Sequence, residues 1–546
     1  MKHLTLIAAI LGAGVLIGAA PTDGKMVIPI VLVEKDQKAA DETASHTIID
    51  RSQLDEATAD LPEVLDEQPG LRGTRLGGPG SFASMAIRGS TGDQVNVYLD
   101  GVPLNSGVGG SVDLGSIPLG PVERVVIYRG LSPLSFGTSA MGGVVSVRTR
   151  TPSASIFELR GGGGSFGGRL GRVYFGAGSD GWSGSVALDY QGSEGNFSYQ
   201  NDAGTVFDTS DDTVAERSNN QLDSGTVMVK GKMPLGAGFS LSATNFSTLK
   251  RHGIAGHGLH PTVAANLSHL RNLTALHLEG RKVGGTALEL SVIPWVTWSQ
   301  LSFEDPLGEV GIGVDDTRDR HLSTGVRLHA NLPVSLDAGL DWWLTPQLAA
   351  EIRHELFTAG GAGIAASEAS DSHRSRLSAG LGAELAMEPL RTDVIASVRH
   401  ETSWSSLVTP ENRDDLTREA PRNTAIDALT WRVAFAQRSI PDVKLTANIS
   451  NSVRMPSLFE LFGNTGSVLG NPSLKPERGM NIDVGAVFRP SFVPVGNVWS
   501  LELYGFFNEA DDRIQFVRTS QGVSIAQNIA SSVIYGVEAG TYLDVL

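Results

Sequence analysis

The chain has 546 residues, no cysteine, and 43 Lys and Arg against 59 Asp and Glu, which gives a formal net charge of −16. This acidic balance argues against a nucleic-acid partner, because binding to a phosphate backbone needs clustered cations. Without cysteine there is no disulfide framework, thiolate metal site or thiol nucleophile. The 65 glycines and 19% charged residues fit neither a disordered chain nor an ordinary polar soluble protein.

The first 20 residues predict a secretory signal peptide. Lys2 and His3 precede an apolar run, Leu4–Ile17, and small residues follow it. The run is too short for a membrane-spanning helix, and no later stretch reaches the roughly 18 consecutive apolar residues that such a helix needs. We therefore expect export, with cleavage near Ala19 or Ala20.

Residues 21–38 form a second zone, which contains the extended apolar segment Met26–Val33 and a polar stretch after it. Pro29 cannot donate a hydrogen bond to a sheet, so a central strand is disfavoured. The segment is predicted to be either an edge strand or an extended peptide.

Residues 39–151 are predicted to form a compact β-rich domain. Its helix begins at Asp60, with Pro62 in the first turn and Glu63 three residues after the cap, and stops before Pro69. Short apolar runs broken by Arg-Gly, Asp-Gly and Gly-Gly pairs then predict strands joined by tight turns. Two glycine-rich loops, 75–82 and 105–111, interrupt this pattern.

Residues 152–546 change character and predict a large antiparallel β-barrel in a membrane. Roughly sixteen strand-like segments recur, many near the ~10 residues that cross a bilayer when tilted. Long polar inserts, notably 201–220 and 402–425, fall between some of them, and short breaks fall between others. The segments are 156–159, 172–175, 182–190, 225–233, 239–246, 273–278, 287–298, 322–328, 342–352, 376–385, 392–400, 429–435, 443–449, 481–488, 499–507 and 534–543.

Motifs along most of the chain resemble those of the TonB-dependent outer-membrane receptors. Within that family, the spacing through residues 105–121 is similar to that of the vitamin B12 receptor and its catecholate-siderophore relatives. The matching motifs, in family order, are Pro69-Gly70, Ile87-Arg88-Gly89, Leu99-Asp-Gly-Val-Pro-Leu104, Val122-Glu-Arg-Val125, Arg129-Gly130, Phe136-Gly137, Gly142-Gly-Val-Val145, Arg454–Gly463, Gly470–Glu477 and Tyr535-Gly-Val-Glu538.

The resemblance implies an outer-membrane barrel of 22 strands that is filled by an N-terminal α+β plug. It also implies active uptake of a scarce chelated ligand, a ferric siderophore or a cobalamin-like molecule. The partners would be the ligand, the outer-membrane lipid and periplasmic TonB, which with ExbB and ExbD uses the proton gradient to displace the plug. TonB would pull a short box by strand addition, and Ile30, Val31, Leu32 and Val33 fit its position and character. An ordinary first plug strand is the alternative for these four residues.

Two plug arginines, Arg88 and Arg129, lie in otherwise apolar strands and need carboxylate partners if buried. In receptors of this kind such arginines often pair with barrel carboxylates, and Glu460 and Glu477 are the candidates here. Pairing inside the plug, for example with Glu123 or Asp100, is the alternative.

Ligand contacts are expected in the two apical plug loops, since polar loops on a rigid scaffold are the usual place for recognition. The candidates are Arg75, Ser81, Phe82, Asn105 and Ser106.

Two groups of possible metal ligands stand out in the predicted barrel. The acidic insert 201–220 could hold Ca²⁺, and His252, His257 and His260 could bind a transition metal, but neither spacing matches a known metal motif. We favour solvated loops at both places and predict no metal site and no cofactor. The sequence contains no recognisable catalytic constellation, so no enzymatic activity is predicted.

Two alternatives to active transport remain open: a passive outer-membrane receptor or adhesin, and a non-functional truncated receptor. Family members continue well past the Tyr-Gly-Val-Glu motif, whereas this sequence stops eight residues after Glu538. Sixteen strands are also about six short of the family's barrel, and an open sheet edge in lipid would leave backbone groups unpaired. We therefore expect the sequence to be a fragment or a truncated gene product.

Overall fold

The computed structural model describes residues 41–544 except 57–59, 76–80, 180, 206, 258–259, 311–313, 337–340, 362–370, 409–421, 464–467, 493–497 and 519–523. The predicted signal peptide and the segment Ile30–Val33 lie outside the described residues. No helix in the described part of the chain has the length and apolar character that crossing a membrane requires.

The small N-terminal domain, called the plug below, is built around one five-stranded sheet. The strand order is β1-β6-β7-β4-β5, in which β4 and β7 run parallel and the other neighbours antiparallel, and β2 and β3 form a separate hairpin. Its elements are β1 (His46–Asp50), α1 (Arg51–Glu56), α2 (Leu61–Asp66), β2 (Leu71–Arg75), β3 (Ala83–Ile87), β4 (Val95–Leu99), β5 (Val102–Pro103), β6 (Val122–Arg129) and β7 (Gly143–Thr149), with 3-10 turns at Gly92–Gln94 and Leu114–Ser116.

Local sequence signals explain the plug's elements. The Asp60 side chain accepts a hydrogen bond from the Glu63 amide, so α2 begins at the predicted cap. Asp100 and Gly101 have φ values of 45° and 83°, the left-handed backbone that a tight turn between β4 and β5 requires. The apolar faces of these elements form one buried core, which also packs against inward barrel residues such as Phe246 and Trp295.

The long strands of the large domain, from β8 to β29, form an antiparallel ladder that closes into a barrel. The short strand β26 pairs with β29 in parallel, and β11–β12 and β15–β16 form separate two-stranded sheets. Its elements are β8 (Ile156–Gly164), β9 (Gly168–Ser179), β10 (Trp182–Ser193), β11 (Ser198–Asn201), β12 (Thr213–Glu216), β13 (Leu222–Gly236), β14 (Phe239–Gly253), β15 (Gly256–His257), β16 (His260–Pro261), β17 (Asn266–Gly280), β18 (Glu289–Asp305), β19 (Asp315–Asn331), β20 (Val334–Ser335), β21 (Trp342–Thr358), β22 (Asp371–Met387), β23 (Thr392–Val408), β24 (Arg422–Gln437), β25 (Val443–Arg454), α3 (Leu458–Phe462), β26 (Val468–Leu469), β27 (Glu477–Phe488), β28 (Val498–Arg518) and β29 (Ser524–Asp544), with 3-10 turns at Val283–Gly285 and Glu388–Leu390.

Sixteen of these strands are long, between 9 and 21 residues within the described chain, and each overlaps one of the sixteen predicted segments. Side chains alternate along them. On β21 and β22, Leu348 and Leu381 are exposed on the outer face, whereas Arg353 and Arg374 are buried against the plug. The prediction of a large antiparallel barrel filled by a plug is confirmed.

Connections at the two ends of the barrel differ in length. At one end they are short, as at 180–181, 237–238, 388–391 and 438–442, and we call it the short-turn end. At the other end they are mostly long, as at 194–221, 254–265 and 455–476, and we call it the long-loop end. In outer-membrane barrels short turns face the periplasm and long loops face outward.

Candidate functional site

The first described residues of the plug are bound at the short-turn end. The Asp41 carboxylate accepts a hydrogen bond from Arg432 of β24, and Thr43 Oγ1 accepts another from Arg432 Nη2 at 2.8 Å. Glu42 pairs with Lys444 of β25 at 2.8 Å. Although burial opposes ionisation, the Arg432 guanidinium holds the pKa of the Asp41 carboxyl below its usual range.

Arg88 connects the plug to the last described strand of the barrel. Its Nε and Nη2 donate to the two carboxylate oxygens of Glu538 at 3.0 and 2.9 Å, and Asp483 of β27 lies 4.0 Å from Nη1. The side chains of Arg88 and Glu538 are 1% and 9% exposed, so the pair is buried. A plug arginine therefore does pair with a barrel carboxylate, but the partner is Glu538 rather than the predicted Glu460 or Glu477.

Arg129 is held mainly inside the plug. Its Nε donates to the Pro69 carbonyl at 3.0 Å and its Nη2 donates to Thr47 Oγ1 at 2.6 Å, while Glu538 Oε2 is 4.0 Å from Nε. The expected partners of this arginine, a barrel carboxylate at Glu460 or Glu477 or an acidic plug residue, are thus replaced by a carbonyl and a hydroxyl, with Glu538 at the limit of ion-pair distance.

Glu460 and Glu477 instead surround Arg454 at the end of β25. Arg454 donates to Glu460 at 3.0 and 3.1 Å and to Glu477 at 2.7 Å. The cluster reaches the plug through two other residues: Asp93 lies 3.2 Å from Arg454 Nη1, and Gln94 Nε2 donates to Glu477 at 2.7 Å. Both glutamates therefore belong to a plug–barrel contact, but not to the predicted arginines.

Further ion pairs cross between plug and barrel, and two that join buried or half-buried groups were missed by sequence reasoning. Asp100 lies 3.1 Å from Lys230 of β13, and Asp113 lies 2.7 Å from Lys250 of β14. Burial opposes ionisation of Asp100, but Lys230 and the hydrogen bonds from Thr149 lower the pKa of its carboxyl. In both pairs the sequence offers one signal: a lysine lies at an inward-facing position of a strand in which inward and outward residues alternate.

A cleft lies between the plug and the barrel wall toward the long-loop end. The plug loop 105–111 forms one side of it and is tied to the barrel by α3, whose Leu458 amide donates to the Gly107 carbonyl at 2.7 Å. Residues that line the cleft include Asp93, Asn96, Tyr98, Asn105 and Ser106 of the plug and Arg353, Arg374, Arg376, Glu401 and Arg454 of the barrel.

The five predicted ligand-contact residues separate into two groups. Asn105 and Ser106 line the cleft, whereas Arg75, Ser81 and Phe82 lie outside its lining. The Asn105 amide is already used: it accepts from the Val97 amide at 2.7 Å and donates to two backbone carbonyls, so it shapes its own loop.

Arg75 has a structural partner at the start of α2. Its Nη2 donates to Asp60 Oδ2 at 2.5 Å, and Glu63 lies 3.8 Å away. The arginine therefore braces the end of β2 against a helix N-terminus. This contact explains why a polar residue in a predicted apical loop does not face the cleft.

Three arginines of the cleft, Arg353, Arg374 and Arg376, were not identified from the sequence. They come from neighbouring strands β21 and β22 and face inward together with Glu355. Alternation along β22 places Arg374 and Arg376 on one face, two residues apart, and this was the signal available.

Within the described residues, neither group of possible metal ligands forms a metal site. In the described ranges, no three His, Asp or Glu side chains are arranged to hold a metal ion. In the acidic insert, Asp202 accepts from the Gly204 amide, Asp208 from Ser210 and Asp211 from Thr205 Oγ1. The His252 ring lies beside its own loop backbone, and the side chain of His257 falls outside the described residues.

The fold and these contacts define the class of protein: a β-barrel filled by an N-terminal plug. Two family models match the chain, the TonB-dependent Receptor Plug Domain over residues 38–144 and the TonB dependent receptor-like β-barrel over residues 142–544. The chain therefore belongs to the TonB-dependent receptor family, and it is an outer-membrane protein. The family consists of receptors and transporters rather than enzymes.

Curated relatives include vitamin B12 transporters. BtuB of Photobacterium profundum is 24% identical over 549 residues, which cover 95% of this chain and 76% of that protein. BtuB of Vibrio cholerae serotype O1 is 37% identical over 119 residues, so this match covers only 22% of the chain and 20% of the relative's length.

Solved structures show the same fold. The Serratia marcescens hemophore receptor HasR superposes with a TM-score of 0.73 at 16% identity and covers 92% of this chain and 80% of its own. The copper transporter OprC gives 0.71 at 15%, with 92% and 77% covered. The siderophore receptor PirA of Acinetobacter baumannii gives 0.68 at 16%, with 91% and 78% covered.

Proposed function

We propose that this protein imports a scarce chelated ligand, a ferric siderophore or a cobalamin-like molecule, across the bacterial outer membrane. The observation that carries the proposal is the placement of the plug. It fills the barrel and lines a cleft toward the long-loop end, and its first described residues, from Asp41, lie beside the short-turn end. A ligand would enter from outside, while the energy source would act from the periplasm.

The energised step would use the segment Ile30–Val33. This segment ends eight residues before Asp41 in the sequence. A periplasmic partner could pair with such an extended segment by strand addition. TonB, energised through ExbB and ExbD by the proton gradient, is the proposed partner.

The ligand would bind in the cleft beside Asn105 and Ser106. The plug loop 105–111 is linked to α3 of the barrel and lies next to Glu355, whose Oε1 accepts from the Gly107 amide at 2.9 Å. A ligand in the cleft would therefore touch plug and barrel at once. Support for a chelated ligand comes from the relatives, among which are vitamin B12 transporters and a siderophore receptor.

Deletion of Met26–Glu34 tests the energised mechanism. We expect the variant to reach the outer membrane and to bind ligand at the cell surface as the parent does, but to lose uptake. The matched control removes nine residues of the exposed insert, 202–210, which lies far along the chain from the segment and should leave energised uptake intact. If uptake survives the loss of Met26–Glu34, energised transport is wrong, and surface binding alone would indicate a passive receptor.

A further inference from the structure

The outer face of the barrel carries a polar patch near half the height of its wall. Asn245 and Ser247 of β14 are direct cross-strand partners of Thr274 and Asn272 of β17. Phe246, which separates the first two, is 1% exposed and belongs to the core that joins plug and barrel. Alternation along the strands therefore turns the four polar side chains away from the plug and toward lipid. We call these four residues the polar quartet.

The polar quartet lies at the middle of the membrane-spanning wall. The strands β14 and β17 have 15 residues each, and the quartet flanks the central residue of both, Phe246 and Leu273. Lipid tails offer no hydrogen bond, so outward positions at this depth are normally apolar. The outward residues around the quartet do follow this rule: they are Leu249 and Leu270 toward the long-loop end, Ala243 and Leu276 toward the short-turn end, and Val227, Val229, Val296 and Trp298 on the neighbouring strands.

The four side chains of the quartet form a closed ring of hydrogen bonds. Asn245 Nδ2 donates to Thr274 Oγ1 at 2.8 Å, and Asn272 Nδ2 donates to Ser247 Oγ at 2.6 Å. The hydroxyls complete the ring: Thr274 donates to Asn272 Oδ1 at 3.5 Å and Ser247 to Asn245 Oδ1 at 3.2 Å. Each amide has two N–H donors, and in the described part of the chain the ring is the only acceptor for one of them. The second N–H of each asparagine faces lipid, where a donor without an acceptor is costly.

We propose that the polar quartet is the centre of a contact between two copies of this chain in the outer membrane. Ser, Thr and Asn side chains at membrane depth commonly form hydrogen bonds to a neighbouring protein segment. Both copies must have the same orientation across the membrane, so the two-fold axis that relates them runs along the membrane normal and brings the same patch of each together. This inference depends on neither the imported ligand nor energised uptake.

The pattern of the quartet fits such an axis. The two asparagines occupy one diagonal of the rectangle that the quartet forms, and Ser247 and Thr274 occupy the other. Strands in outer-membrane barrels are tilted by roughly 35–45°, so one diagonal runs close to the membrane normal and the other runs across it. A two-fold axis through the centre then places amide opposite amide and hydroxyl opposite hydroxyl. Because an amide carries both donors and an acceptor, the free N–H of one copy can donate to the side-chain oxygen of the other.

Cysteine cross-linking in isolated outer membranes tests the contact. The chain has no cysteine, so single-cysteine variants report without background. Leu249→Cys and Leu276→Cys lie beside the quartet, and the matched control is Val484→Cys on β27, which is similarly exposed and lies across the barrel in the strand order. After oxidation with copper phenanthroline, we expect a disulfide-linked dimer from at least one quartet position and none from the control. No dimer at either position, an equal yield from Val484→Cys, or an adduct whose mass is not twice that of the chain would overturn the proposal.

The hydrogen bonds are tested by the double variant Asn245→Leu, Asn272→Leu. Energy transfer between labelled full-length chains in lipid vesicles, at increasing ratios of lipid to protein, measures dimerisation. Loss of the amide contacts should weaken dimerisation roughly tenfold. Val484→Ala, an outward change on the opposite wall, should leave dimerisation unchanged. Leucine is suited to a lipid-facing position, so the double variant should fold, which heat-modifiable electrophoresis checks. Unchanged dimerisation in the folded double variant would show that the quartet does not hold two copies together.

Discussion

The two ends of the plug meet the barrel in opposite ways. Toward the short-turn end, charged side chains are joined into pairs, such as Asp41 with Arg432 and Arg88 with Glu538. Toward the long-loop end, the contact opens into a cleft that is lined by arginines and by carboxylates such as Asp93 and Glu401. Charges that pair across a packed contact hold two parts of a protein together, whereas charged groups that line a cleft can also meet a molecule that enters it.

The largest effect is expected from breaking the Arg88–Glu538 pair. Arg88→Leu should lower the free energy of local opening around residues 70–90 by about 3–5 kcal/mol, because it leaves Glu538 buried without its cation. Native-state hydrogen exchange of the plug amides measures this. Arg75→Leu, whose partner Asp60 is near the surface, is the control and should cost about 1 kcal/mol or less.

The double variant Arg88→Leu, Glu538→Leu should recover much of the loss, since neither charge is then left alone. If Arg88→Leu costs no more than Arg75→Leu, the pair does not hold the plug, and the contrast between the two ends loses its main support.

A smaller loss is expected at Gly89, next to the same pair. Its φ is +75°, and an added Cβ would lie 2.9 Å from Cδ1 of Ile534 in β29. Gly89→Ala should therefore cost about 1–3 kcal/mol in the same exchange experiment, from backbone strain and the contact together. Gly109→Ala, at a position with nothing within 4 Å, should cost under about 0.5 kcal/mol. If both variants lower the free energy of local opening by similar amounts, Gly89 is not closely packed against β29.

Acid should weaken the plug–barrel contacts toward the short-turn end over a limited range of pH. The pKa values of Asp41 and Asp100 are lowered in the folded protein, so the stabilisation that they give is complete above the ordinary carboxyl value of 3.8 and is lost as pH falls below it. A spin label at Ser52, an exposed position on α1, should report unchanged mobility from pH 7 to about 5 and higher mobility below pH 3.8. Mobility that rises between pH 7 and 5 would contradict this assignment.

The smallest effect is expected from Lys444→Ala. Its partner Glu42 is 48% exposed, and ion pairs of this kind contribute about 0–1 kcal/mol. Arg432→Met, which removes the buried partner of Asp41, should cost several times more in the same measurement. If the two variants lose the same amount of stability, burial does not determine how strongly these ion pairs contribute at the short-turn end.

Much of the barrel could be predicted from the sequence, because strands that face lipid on one side alternate with a period of two. Each of the sixteen predicted segments overlaps a long strand, although the strands extend further, since their ends carry polar residues that break the pattern. The start of α2 at Asp60 was likewise encoded locally by its capping residues.

The partners of the charged residues could not be predicted in the same way. Arg88 and Glu538 are 450 positions apart in the sequence. The alternation of residues along a strand predicts that a side chain faces inward, but it does not predict which plug residue that side chain contacts. For this reason the sequence points to Glu460 and Glu477 as the partners and not to Glu538, although Glu538 belongs to the Tyr-Gly-Val-Glu motif. The cleft arginines Arg353, Arg374 and Arg376 were missed for a related reason: alternation places each of them inward, but their meeting at one cleft depends on the register of β21 and β22 and on the plug beside them.

The position of β1 has a mechanical consequence. Among the described strands it lies at the edge of the plug sheet and pairs only with β6, over five residues from His46 to Asp50. Tension applied to the chain at Asp41 would act first on the contacts with Arg432 and then on the hydrogen bonds between β1 and β6. Peeling β1 away leaves β6, β7, β4 and β5 still hydrogen-bonded to one another, so a short pull could change the plug's shape without unravelling its centre.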